Sequence, residues 1–336
     1  MSFITVDNIN CINAELSNYC NAACPMCARY DVNLKLVPDK TNNAYTTLDI
    51  FEDKIGIPII SRLQEFKSCG TYGDGATNPQ CLEIFEFVRR HNSTAFLILN
   101  SNGGTRSKEF WYELGKLGNS SVIFGIDGLE DTNHLYRRNV KWHKLMENVQ
   151  AFIQGGGRAV WQFLVFKHNQ HQIQECKKLS EELGFVGFYT QYSGRWRDYI
   201  NGVYRDITQL QVDDYVLEKP MDQPSLITLP GSNIQLDKGI KIDATFETGT
   251  INCQSCTDTN KEIYIMANGW VSPCCYVGDL HDHKHIIQDW DKVNINTASL
   301  QEILEGSFFR ELENGIANTP GSNRLITCWT TCGVHN

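Results

Sequence analysis

Between residues 11 and 190 the sequence alternates between short apolar runs and longer stretches with helical periodicity. The runs Cys11–Leu16, Glu65–Cys69, Ala95–Leu99, Val122–Ile126, Ala159–Val165 and Val186–Thr190 are rich in β-branched and aromatic residues and read as strands. Between them lie candidate helices at Leu48–Leu63, Cys81–Arg90, Lys108–Leu117, His143–Ile153 and Gln172–Leu183. Their apolar residues recur at steps of three or four, as in Leu82, Phe85 and Val88 or Leu145, Val149 and Phe152. Gly155–Gly157 and Gly184 suit helix C-termini, so the glycine triplet ends a helix and is no phosphate loop. Six strands separated by five helices imply a parallel sheet with right-handed crossovers. A spacing of ~25–35 residues per unit fits the βα repeats of a full or partial barrel, whose chemistry gathers at the C-terminal ends of the strands.

The second constraint is where the 13 cysteines fall. Cys20, Cys24 and Cys27 sit directly after the first strand. Cys253, Cys256, Cys274, Cys275, Cys328 and Cys332 lie in the last quarter of the chain, and only Cys11, Cys69, Cys81 and Cys176 lie elsewhere. At ~150 residues per domain, 336 residues allow roughly two domains, and the cysteines suggest two metal-binding parts joined end to end. No apolar run approaches the ~18 residues of a membrane span, and the N-terminal stretch lacks the basic and apolar regions of a secretory signal. A cytoplasmic setting with no membrane partner is therefore expected, and clustered cysteines there read as metal ligands or redox groups rather than bridges. With 30 basic and 39 acidic side chains, a net charge of −9, no nucleic-acid partner is expected either.

Three soft thiolates within eight residues, Cys20-x3-Cys24-x2-Cys27, select zinc, copper(I) or an iron–sulfur cluster. Three ligands rather than four is the informative detail. A structural zinc site needs a fourth, whereas a cluster held by three cysteines keeps one iron open. This loop resembles the signature of the radical S-adenosylmethionine (SAM) superfamily. The resemblance implies a [4Fe–4S] cluster whose open iron binds SAM, and reductive cleavage of SAM to a 5′-deoxyadenosyl radical that abstracts a substrate hydrogen.

Further loops match that family in order. Tyr72-Gly73-Asp74-Gly75-Ala76-Thr77-Asn78-Pro79, after the second strand, is similar to "GGEPTLNP", with Tyr72 in place of the first glycine, Gly75 in place of the proline and a carboxylate one methylene shorter. Ser101-Asn102-Gly103 resembles "TNG", and Gly125-Ile126-Asp127-Gly128 resembles "SxDG" with glycine where the serine stands. The resemblance covers about residues 10–200. It implies SAM contacts from Met26, Gly73, Asp74, Ser101 and Gln162, and it leaves Arg137 or Arg138 to answer the SAM carboxylate.

Towards the C-terminus, Glu262–Met266 and Trp270–Ser272 flank an Asn-Gly turn and read as a hairpin. Leu300–Glu305 and Phe308–Asn314 look helical. The order Cys256, Gly269, Cys274, then Cys328 and Cys332, resembles the SPASM/twitch extensions of radical SAM enzymes. It implies one auxiliary [4Fe–4S] cluster held by Cys256, Cys274, Cys328 and Cys332, with Cys253 and Cys275 as alternates to their neighbours. A zinc ribbon is the competing reading of the same cysteines.

The expected fold is thus α/β: a partial (β/α)6 TIM-like barrel at 1–215, a connector at 216–249 and a small β-hairpin/α cluster-binding domain at 250–336. The expected activity is radical SAM chemistry on a peptide or protein side chain, with a sugar or aminocyclitol as the alternative substrate class, a non-catalytic metal protein as the remote one, and a flavodoxin or ferredoxin as electron donor. His281, His283 and His285 read as a solvated loop and Cys69 as a core residue. Cys81 reads as buried, and Tyr189, Tyr192, Trp196 and Tyr199 either line the substrate entrance or pack the connector.

Overall fold

A computed structural model describes residues 4–31, 34–200, 203–213, 215–221, 261–278 and 290–317, together with residues 328 and 332. Six parallel strands follow the chain in order: β1 (Cys11–Ala14), β2 (Glu65–Ser68), β3 (Phe96–Ser101), β4 (Ser120–Gly125), β5 (Arg158–Val165) and β6 (Gly187–Tyr192). The crossovers carry α1 (Ile57–Ile60), α2 (Cys81–His91), α3 (Lys108–Lys116), α4 (Glu130–Tyr136), α5 (Trp142–Gln154) and α6 (Ile173–Leu183). Among the described residues the sheet does not close, so the architecture is the partial barrel the alternation implies.

Strand alternation builds the two faces. In β3 and β5 every second residue is buried, and these residues meet the helices through Trp111, Phe124, Phe152 and Trp161. The opposite set, including Lys67, Asn100 and Gln162, is partly accessible and lines a polar lumen. Phe66 at the centre of β2 stacks edge-on between Phe51 and Phe85 at 5.6 and 5.3 Å, which fastens the first crossover to the sheet.

Three features differ from expectation. The helix expected at Leu48–Leu63 is divided into a π-helical turn (Ile50–Ile55) and α1. Gly56, at φ 85°, ends the first piece, and Pro58 cannot donate to a continuing helix. Helix α4 was not read from the sequence at all. After β6, in the last part of the span expected to be barrel, the chain forms two antiparallel hairpins, β7 (Arg197–Ile200) with β8 (Val203–Asp206) and β9 (Gln209–Val212) with β10 (Tyr215–Glu218). The second is held to the barrel by Arg138–Asp213 at 2.6 Å and Lys167–Glu218 at 2.7 Å. The expected boundary at residue 215 falls inside β10, and residues 222–249 lie outside the described set.

The C-terminal hairpin, β11 (Glu262–Ile265) and β12 (Val271–Ser272), is where the sequence places it, with Gly269 at φ 93° in its turn. Its placement is new: β11 pairs in parallel with β1, so the hairpin extends the barrel sheet, in the order β12-β11-β1-β2-β3-β4-β5-β6. Glu262 on β11 is buried and answered by Lys67 on β2 at 2.7 Å and by Asn13 Nδ2 on β1 at 3.1 Å. Helices α7 (Leu300–Leu304), opened by a Ser299/Glu302 capping box, and α8 (Ser307–Ala317) follow. No helix among the described residues is long and apolar enough to cross a membrane.

Candidate functional site

The loops at the C-terminal ends of β1 to β4, with Gln162 of β5, enclose one cavity. Cys20, Cys24 and Cys27 line it from the first loop, Gly73 and Asp74 from the second, Ser101 and Asn102 from the third, and Gly125 with Arg137 from the fourth. Met26 is not among the lining residues. Its side chain is buried in the core, and its carbonyl accepts from Arg195 Nη1 at 2.8 Å. Gln162 donates from Nε2 to Gln191 Oε1 on β6.

Asp74 is the organising group. Its Oδ2 accepts from Ser101 Oγ at 2.9 Å, Asn102 N at 2.8 Å and Asn102 Nδ2 at 2.6 Å, while Oδ1 accepts from Ala76 N at 3.0 Å. One carboxylate therefore clamps the second loop to the third. Burial pushes its pKa up from the ordinary carboxylate value, against these donors. Asp74 N–H donates to Tyr19 O at 2.9 Å, and Asn102 Nδ2 reaches Asn21 Oδ1 at 2.9 Å, so the cysteine loop joins the same network. Gly73 admits the contact: a Cβ there would stand 2.0 Å from Ser17 O.

On the opposite wall Arg137 Nε meets Asp127 Oδ2 at 2.6 Å, and Asp127, fully buried, spends Oδ1 on Leu164 N at 2.7 Å. Arg137 Nη1 lies 3.9 Å from Cys24 Sγ. Gly125 explains how a guanidinium fits here, because a Cβ on it would stand 2.4 Å from Arg137 Nη2. The residue that departs from the loop pattern is thus the one that makes room for the arginine. Arg138, the other candidate, turns outward to Asp213. Arg29, also lining the cavity, is buried with its Nε unpartnered and its Nη1 3.4 Å from Cys20 O.

Burial pushes the Cys24 thiol up to about 12, with Arg137 opposing and Cys27 adding to the rise, and Cys20 moves the same way through burial, Asp74 and Cys24. Thiols held protonated this firmly ionise only when a cation takes the proton's place, so the donor set suits a soft metal centre. Among the described residues no three of His, Cys, Asp and Glu converge as a single metal ion would require. A cubane cluster, whose thiolates bind separate irons, asks for a wider spread than one ion does.

Of the C-terminal cysteines, Cys274 and Cys328 are buried, and Cys275 and Cys332 are half-buried. Cys253 and Cys256, with His281, His283 and His285, lie outside the described residues. Burial and the neighbouring Cys275, Cys274, Cys332 and Cys69 together push the exposed Tyr276 phenol up to about 12. Cys69 is the surprise. The core position expected for it is instead a half-buried place on the cavity wall, where its sulfur takes a hydrogen bond from the Cys275 thiol and is held low, at about 6, mainly by that bond. Cys81 is buried, as expected. Trp196 packs against Phe166 at 5.9 Å, whereas Tyr189 is exposed on β6.

Comparison with known proteins bears on both halves. The model of the SPASM family, an iron–sulfur cluster-binding domain, matches residues 256–333. Among solved structures the chain resembles Streptococcus suis SuiB bound to S-adenosylmethionine, with 13% identity and a TM-score of 0.53 over 81% of this chain and 61% of that one. It therefore spans about six tenths of that protein. SuiB bound to its precursor peptide SuiA gives 14% identity and a TM-score of 0.54 over 95% of this chain and 76% of that one. The structure of anSMEcpe with bound AdoMet and the Kp18Cys peptide gives 14% and 0.53 over 90% and 82%. At such identities the likeness is one of fold. No curated protein sequence matches the chain.

Proposed function

We propose that this chain, which has the radical SAM fold with a SPASM-type iron–sulfur region over residues 256–333, cleaves SAM reductively to modify a peptide or protein side chain by oxidation, crosslinking or epimerisation. The observation that carries it is the convergence of Cys20, Cys24 and Cys27 on one cavity with the Asp74–Ser101–Asn102 clamp and the Arg137 guanidinium. The three thiolates would hold a [4Fe–4S] cluster and leave one iron for SAM. With both bound, the pair supplies an electron and a 5′-deoxyadenosyl radical able to take a hydrogen atom from an unactivated carbon.

The protein's share is orientation. Asp74 fixes the second and third loops in one arrangement, so the backbone of Gly73 and the Ser101 hydroxyl face the cavity together. Arg137, anchored by Asp127, presents its remaining N–H groups to a carboxylate. Gln162 lines the same cavity from β5 and would meet the nucleoside side. Met26 would contribute through its backbone alone. The C-terminal cysteines Cys274, Cys328 and Cys332, with Cys256, would bind the auxiliary [4Fe–4S] cluster, which can take an electron from the substrate, and a flavodoxin or ferredoxin would supply the reducing electron.

Two observations favour a peptide. Among the described residues no strand pairs with the outer edge of β6, where Tyr189 and Gln191 are exposed, which suits entry of an extended chain from the side. Structures of the same fold have been solved with peptides, SuiA and Kp18Cys. The test is anaerobic reconstitution followed by dithionite reduction with SAM and chromatography for 5′-deoxyadenosine. The wild type should form it, and Cys24→Ala, shown folded, should form none. Continued SAM cleavage by that variant would sink the assignment. Turnover of a sugar or aminocyclitol with no product from any peptide would move the substrate to the small-molecule class.

A further inference from the structure

The SAM-side cavity and the C-terminal region meet at sulfur. Cys69 stands one residue beyond β2, on the wall shared with Cys20, Cys24 and Cys27. Cys275 stands next to Cys274, just beyond β12, and shares a packing cluster with Cys69. Both pack against Tyr72, Tyr264 and Met266, and the Thr71 hydroxyl lies 3.6 Å from the Cys69 sulfur. Cys274 and Cys332 share the neighbourhood through Tyr276.

Sulfurs from the end of β2 and the exit of β12 thus share one packing cluster, with Cys274 adjacent in sequence and Cys332 near the neighbouring Tyr276. Packing alone does not account for them. A half-buried thiol on a polar cavity wall gains little from hydrophobic burial, and the nearby cation, Lys67, is engaged by Glu262 at 2.7 Å. Soft donors brought together from distant segments are what a thiolate-ligated cluster needs. The parallel pairing of β11 with β1 is the device that brings them together, since it lays the hairpin beside the β1–β2 edge.

We propose that Cys69 is one of the four ligands of the auxiliary iron–sulfur cluster, a thiolate lent by the barrel to the site of Cys274, Cys328 and Cys332, in the position otherwise given to Cys256. This rests on the iron–sulfur reading of that region. The cluster would then straddle the seam, with one ligand rooted on the wall of the SAM cavity, and its assembly would lock the two halves of the chain together.

The experiment uses the full chain with Cys20, Cys24 and Cys27 all changed to alanine, so that only the auxiliary site can assemble. After anaerobic reconstitution, iron and acid-labile sulfide per chain and the EPR spectrum of the dithionite-reduced protein are compared among this parent and its Cys69→Ala, Cys69→Ser and Cys176→Ala derivatives. Cys176, buried on α6 away from the seam, is the control. The parent and control should carry one cluster's complement of iron. Cys69→Ala should lose more than half of it or yield a three-iron spectrum, and Cys69→Ser should keep iron with a shifted spectrum. If Cys69→Ala does not fold by circular dichroism, the Cys69→Ser shift decides. Iron and spectra identical to the parent's in the folded variants overturn the assignment while leaving the cluster itself intact, as does a Cys69–Cys275 disulfide found in the cluster-loaded parent. A parent that binds zinc and no iron overturns both this assignment and the reading beneath it.

Discussion

Replacing Gly125 with alanine should disrupt the ion pair on the cavity wall. The added Cβ would stand 2.4 Å from Arg137 Nη2, 2.7 Å from Cζ and 3.1 Å from Nη1. Ordinary contact needs about 3.5 Å, so the guanidinium must retreat by roughly 1 Å. A shift of that size breaks or lengthens its 2.6 Å bond to Asp127, whose carboxylate is fully buried and would keep only Leu164 N. Removing one partner of a buried pair costs about 3–5 kcal/mol. The Arg137 side chain keeps 18% of its exposure, so water can receive part of the displaced charge. The expected loss is therefore about 2–3 kcal/mol, short of the fully sealed case. Urea denaturation of the cluster-free chain under anaerobic conditions measures it, and the midpoint should fall with the slope unchanged. Calorimetry on the reconstituted protein should show SAM binding weakened at least tenfold, since the guanidinium no longer faces the carboxylate position. A Gly125→Ala chain within ~0.5 kcal/mol of wild type, the range of a neutral surface change, with unaltered SAM affinity would refute the role given to Arg137.

Glu15 predicts a pH dependence. Burial lifts its carboxyl from the ordinary 4.5 to about 8, with Tyr72 N–H opposing. The folded state thus keeps a proton that the unfolded state gives up above pH 4.5, so this group's contribution is most favourable below pH 4.5, declines as pH rises to about 8, and is flat beyond. At ~1.4 kcal/mol per unit the decline is at most roughly 4–5 kcal/mol, and Glu15→Gln should abolish it. Denaturation curves should coincide at pH 4.5 and favour the variant at pH 8.5, and a difference independent of pH would count against a protonated Glu15. Asp74→Asn sets an amide N–H against donors that now share a carboxylate, at a cost of about 1–3 kcal/mol. Its melting temperature and SAM affinity should both drop, and wild-type values in both would show that another group holds the two loops.

Much of the barrel was legible because its information is local. Strand period 2 and helix period 3.6 put the six parallel strands within about two residues of their positions. The break at Gly56 and Pro58 is hidden in the sequence because a long apolar stretch masks the two residues that interrupt it. The pairing of β11 with β1 had no such trace: it joins residues some 250 positions apart, as in Asn13 with Glu262. One sign existed. A carboxylate in Glu262-Ile263-Tyr264-Ile265, otherwise an apolar strand, must find a cation across the sheet, and Lys67 on β2 supplies it. The cysteine loop was readable from spacing alone, whereas Cys69 was not, because a lone cysteine at a strand end looks like core until the opposing sulfur is seen.

The departures from the familiar loop pattern show how the site and the rest of the chain depend on each other. Tyr72, standing where a glycine is usual, is buried against Tyr264 and Met266, gives its N–H to Glu15 and lies 5.2 Å beneath the Lys40 ammonium. Together with Cys69, it is a side chain through which the second loop touches the C-terminal hairpin. Gly75, in the proline position, sits where a Cβ would stand 2.7 Å from Ser68 Oγ, which lets the loop tighten into the short 3₁₀ turn that Asp74 caps. Gly125 yields its place to Arg137. In each case the missing motif residue is replaced by a contact from another segment, so the motif is weaker as a string than as a surface. A tyrosine that ties the loop to the hairpin makes the geometry of the SAM-side cavity sensitive to the state of the C-terminal region, and Tyr72→Gly should therefore leave the three-cysteine loop in place while loosening that dependence.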